Sequence, residues 1–75
     1  MNEDKITRVR RIAGEILGLD PSGLTESSGM DKIQGWDSLR NLAILMEIEQ
    51  QFGHRFSVAD LAEVNTIRSI ADRLP

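Results

Sequence analysis

At 75 residues the chain is long enough for one domain, residues 1–75, and too short for two, with little room for a deep catalytic cavity beside a core. Cysteine is absent, which excludes a disulfide framework, a thiolate metal site and a native thiol nucleophile. A formal charge of −3 gives no electrostatic footprint for nucleic acid, and no apolar run approaches the roughly 18 residues needed to cross a bilayer. A cytoplasmic monomer away from membranes is therefore expected.

Ile6, Val9, Ile12, Ala13, Ile16 and Leu17 recur at three- and four-residue steps with Arg8, Arg11 and Glu15 opposite, which predicts an amphipathic first helix over residues 3–17, ended by Gly18. Asp20-Pro21-Ser22-Gly23 and Ser27-Ser28-Gly29 supply turn chemistry in a long loop of about 20 residues, a length that is either functional or hides an element. Leu24, Met30, Ile33 and Trp36 are expected to pin this loop to the core. A second helix over 38–52 starts at Asp37-Ser38, either of which can cap it, and stops at Gly53. Leu39, Leu42, Leu45, Ile48 and Phe52 form its expected apolar stripe, broadened by Ile44. Ser57-Val58-Ala59-Asp60 reads as a capping box that opens a short helix carrying Val58 and Leu61. Asn65 or Thr66 caps a last helix whose apolar face is Ile67, Ile70, Ala71 and Leu74. No strand alternation competes, and the expected fold is an all-α four-helix bundle with one short member.

Gly35-Trp36-Asp37-Ser38-Leu39 joins the long loop to the second helix and puts a serine hydroxyl at a helix N-terminus. First-turn amides without intrahelical partners, with the positive end of the helix dipole, favour an anion there, so a phosphate ester on Ser38 would be stabilised. A plain helix cap at Asp37 or Ser38 is the commoner use of such residues. The wider arrangement weighs against the plain cap. Asp37-Ser38-Leu39 followed by an apolar helix ending Glu47-Ile48-Glu49-Gln50-Gln51-Phe52-Gly53 resembles the acyl and peptidyl carrier family, whose signature is Asp-Ser-Leu at the start of helix two, and the likeness covers nearly the whole chain.

The resemblance implies that a phosphopantetheinyl transferase places 4′-phosphopantetheine from coenzyme A on Ser38, flanked by Asp37 and Leu39, and that the arm's thiol carries cargo as a thioester. Acyl- or aminoacyl-loading enzymes and synthases are the implied further partners. The chain itself is then a non-catalytic carrier in which Ser38 acts as a nucleophile only inside another enzyme's active site. Many carriers of fatty-acid synthesis have acids just after the Asp-Ser-Leu, where this chain has Arg40 and Ala43. The Trp-Asp-Ser-Leu wording is closer to carriers of dedicated pathways making polyketides, nonribosomal peptides or modified sugars. Leu39, Arg40, Ala43, Met46 and Glu47 lie at helical spacing and form the expected partner face, with Met46 suited to a surface that fits several enzymes.

An enzyme would need a base near its nucleophile, and the only histidine, His54, follows the second helix as a solvated end residue; one histidine among scattered acids gives no metal spacing. The alternative is a small helical interaction or DNA-binding module using Arg8, Arg10 and Arg11. From Ile12 to Ile67, however, nine acids meet only Lys32, Arg40 and Arg55, a net of −6, which repels DNA and attracts basic protein surfaces. Arg10 and Arg11 also point in different directions on a helix.

Overall fold

A computed structural model describes residues 4–75; the expected helical position at residue 3 lies outside them. Four helices follow in order: α1 (Lys5–Leu17), α2 (Ser38–Phe52), α3 (Val58–Glu63) and α4 (Ile67–Asp72). The all-α four-helix bundle is the architecture expected, except that α4 is as short as α3, six residues each. Both short helices carry reciprocal capping boxes, Ser57 with Asp60 and Thr66 with Ser69, which satisfy amides that so short a helix leaves unpaired. The two long helices both end on glycines in the left-handed region, Gly18 at φ 73° and Gly53 at φ 62°.

The core is built from Val9, Ile12 and Ala13 of α1, Ile44, Leu45 and Ile48 of α2, and Ile67, Ile70 and Ala71 of α4, with Phe56, Val64 and Leu74 closing it. α1 packs on both α2 and α4. α3 contributes no fully buried residue: Leu61 is half-buried, and Val58, expected on its apolar side, is 85% exposed.

The long loop is ordered by two devices. Leu24 and Trp36 are buried and Met30 and Ile33 pack against the core, as their hydrophobicity predicts. Polar contacts do the rest. A 3₁₀ turn at Pro21–Gly23 is capped by Asp20, and the loop's middle docks on the entry to α4 through an isolated bridge between Gly29 and Thr66. There the Met30 amide donates to the Asn65 carbonyl (3.0 Å) and the Ile67 amide to the Ser28 carbonyl (2.9 Å). A β-carbon on Gly29 would clash with the Asn65 carbonyl oxygen, so this close approach requires glycine.

Candidate functional site

The apolar stripe of α2 is rotated from the one its leucines suggest. Asn41, Ile44, Leu45 and Ile48 are the buried residues of the helix, whereas Leu42, expected in the core, is 42% exposed, and Leu39, which the sequence places on both the apolar stripe and the partner face, is 74% exposed. At about 100° per residue, Leu39, Ala43 and Met46 fall on the side opposite Ile48. The reason is the phase of the stripe: Asn41 takes the place on the buried face that a leucine would otherwise fill. Of the residues expected to meet partners, Leu39, Arg40, Ala43 and Met46 are exposed and Glu47 is half-buried, so all five share the outward surface beside Ser38.

Asp37 is the N-cap of α2; its Oδ1 accepts from the Arg40 amide at 2.8 Å, and its carbonyl accepts from the Asn41 amide. Ser38 therefore occupies the first helical position, exposed. The chain has six serines, and their surroundings separate them. Ser28 is buried and accepts from the Thr25 amide, Ser27 pairs with the Thr25 hydroxyl, and Ser57 and Ser69 are bound into the capping boxes. Among the described residues only Ser22 and Ser38 have hydroxyls without a hydrogen bond. Ser38 is the one of these at the start of a 15-residue helix, and its own amide and that of Leu39 lack acceptors. Free hydroxyl, free amides and helix dipole together suit a phosphodiester.

A cleft of about 270 Å³ opens beside Ser38, walled by Met30, Leu42, Leu61, Val64 and Asn65, with Asn41 at its base. Asn41 was not read as functional from the sequence. It is 5% exposed; its Oδ1 accepts from the Trp36 indole Nε1 and its Nδ2 donates to the Val64 carbonyl, both at 2.9 Å. An amide in phase with Ile44, Leu45 and Ile48 is the signal that marks it.

On the outward face the Arg40 guanidinium forms no ion pair or hydrogen bond among the described residues, while Glu47 accepts from Gln51. A second groove, about 500 Å³, continues from Ala43 and Met46 to His54 and Arg55. His54 packs edge-on against Phe56, ring centres 5.2 Å apart. Among the described residues no group of histidines and acids has metal-ligand geometry, and among them no helix is long and apolar enough to cross a membrane.

The family model for the phosphopantetheine attachment site matches residues 7–74. The chain belongs to the acyl carrier protein family. It is 34% identical over 68 residues to an acyl carrier protein of Thermotoga maritima, covering 91% of this chain and 84% of that one. To an acyl carrier protein of Phaeodactylum tricornutum it is 29% identical over 72 residues, 96% and 95% of the two chains. It is also 27% identical over 73 residues to the non-reducing polyketide synthase ausA of Aspergillus calidoustus, where it spans 97% of this chain but 3% of the synthase. Membership carries with it a covalently attached 4′-phosphopantetheine. Carrier domains of this kind are not themselves catalysts; they are handed between synthases and modifying enzymes.

Proposed function

We propose that residues 1–75 act as one cytoplasmic carrier unit in which Ser38 holds the 4′-phosphopantetheine arm and presents acyl or aminoacyl thioesters to the enzymes of a dedicated biosynthetic pathway. The observation that carries the reading is Ser38 itself: an exposed, unbonded hydroxyl on the first residue of a long helix, in the Asp37-Ser38-Leu39 signature. In the active site of a phosphopantetheinyl transferase, Ser38 Oγ forms a bond to the phosphorus of coenzyme A that bears the pantetheine. The adenosine bisphosphate portion leaves, and the hydroxyl proton passes to a base of the transferase. When bound, the arm supplies the thiol that this cysteine-free chain lacks. The chain's own part is to hold the phosphodiester at the free amides of Ser38 and Leu39 and to offer Leu39, Arg40, Ala43, Met46 and Glu47 as the surface partners grip.

That surface favours a dedicated pathway. It replaces an acidic patch with Arg40 and exposed apolar groups, and charge complementarity at such surfaces selects partners and sets association rates. The likeness to a short stretch of a polyketide synthase is in keeping with this. The test is to incubate the chain with coenzyme A and a broad-specificity transferase, digest it, and locate the added mass by fragmentation. The arm is expected on the peptide containing Ser38 alone; an arm on Ser22 or any other serine would overturn the assignment.

A further inference from the structure

Ser38 owes its presentation to residues that are not themselves near the surface. The segment entering α2 is anchored one residue ahead of the cap by Trp36, 2% exposed, whose indole N–H has one partner, Asn41 Oδ1. Asn41 lies one helical turn beyond Ser38 on the buried side, and with its other end it holds the Val64 carbonyl at the close of α3. One side chain thus ties together the loop before Ser38, the helix that begins at Ser38 and the wall of the cleft beside it. All of these groups are buried away from water, where an unmade hydrogen bond is costly. An apolar residue would pack at position 41 at least as well as an amide does; what the amide adds is the pair of directional bonds.

We propose that Asn41 is a positioning residue for Ser38, which through Trp36 and Val64 keeps the serine segment in its presented conformation in the free protein, before any enzyme binds. The proposal rests on Ser38 being the attachment point, but part of its test does not. If the segment is ordered only part of the time, a transferase that binds the ordered form sees its apparent affinity reduced by that fraction, while turnover at saturation is unchanged. Asn41→Leu removes both bonds and orphans the indole N–H and the Val64 carbonyl. Trp36→Phe removes one bond and orphans Asn41 Oδ1. The double variant Trp36→Phe/Asn41→Leu leaves neither side chain orphaned, with only the Val64 carbonyl still lacking its donor, so it regains part of the stability without regaining the latch.

The experiment measures transfer of the arm from coenzyme A by a broad-specificity transferase, thermal unfolding, and amide hydrogen exchange on the unmodified chain. Expected for Asn41→Leu is a rise of about fivefold or more in the KM for the carrier with kcat within about twofold. Exchange at the Arg40 amide, held by Asp37, should quicken while the Ile48 amide stays slow. The double variant should recover part of the melting temperature lost in Asn41→Leu but keep the raised KM. A KM that returns to the native value together with stability, or exchange at Arg40 unchanged in Asn41→Leu, would overturn the positioning role. Failure of the native chain to take an arm would instead strike at Ser38 as the attachment point, and the exchange result would still decide the role of Asn41.

Discussion

α1 and α2 are built alike, each an amphipathic helix entered through an aspartate cap and left through a left-handed glycine, yet their outward sides are used in opposite ways. Three of the four cations of α1 are turned back onto the protein. Lys5 donates to the Leu74 carbonyl, Arg10 to the Leu24 carbonyl, and Arg8 to the Gln51 carbonyl while its guanidinium lies 3.9 Å over the Phe52 ring. α2 instead leaves Leu39, Leu42 and Met46 exposed and Arg40 without a partner among the described residues. A helix whose polar side is spent on its own fold is a structural element; one that leaves apolar groups and a free charge beside a reactive position offers a surface to another molecule.

The sharpest way to break this comparison is to truncate the two sides of α2 separately. Ile48→Ala, at a position with no exposure, is expected to cost about 2–5 kcal/mol, most of what a domain of this size has to spare. Leu39→Ala should stay within about 0.5 kcal/mol. Urea unfolding of both variants checks this, and equal losses would mean that Leu39 belongs to the core after all. Next in size is Gly29→Ala. Its new methyl would press on backbone at Asn65 and Thr66, for a predicted loss of about 1–3 kcal/mol by the same unfolding measurement.

Smaller again is the effect of Arg40→Glu combined with Met46→Ala. This pair should leave the melting temperature nearly unchanged and alter the rate of transfer from cognate synthases by roughly three- to tenfold, more at low salt than at high. Unchanged transfer from every cognate enzyme would remove this face as the docking surface. The smallest expected effect lies at the start of α1. The Asp4 carboxyl is held below its ordinary value of 3.8 by the hydrogen bond it accepts from the Thr7 amide. Because the folded value is the lower one, the cap's contribution is complete above the unfolded value and is lost as pH falls through the folded one. The shift of the Thr7 amide resonance should accordingly have its midpoint below pH 3.8, and a midpoint above that would refute the cap.

Much of this was readable from sequence because it is local. The stripe of α1, the two glycine stops, the Ser57–Asp60 box and the apolar pins of the long loop each follow from residues within a turn or two of one another. The stripe of α2 was not, because Leu39, Leu42, Leu45 and Ile48 fall at three-residue steps that drift around a 3.6-residue helix, and the phase is set by tertiary contacts of Asn41 with Trp36 and Val64. The bridge between Gly29 and Thr66 joins segments distant in the chain, and nothing local announces it. At the site, Ser38 stood out through the Asp-Ser-Leu signature, whereas the hub that holds it is an asparagine whose meaning appears only once its two partners are in place.

The most direct test of the account is the intact mass of the native chain and of Ser38→Ala after incubation with coenzyme A and a broad-specificity phosphopantetheinyl transferase, with circular dichroism confirming that both are helical. The account predicts one arm's mass gained by the native chain and none by the variant. A folded native chain that gains nothing, or a variant that still gains the arm, would contradict it.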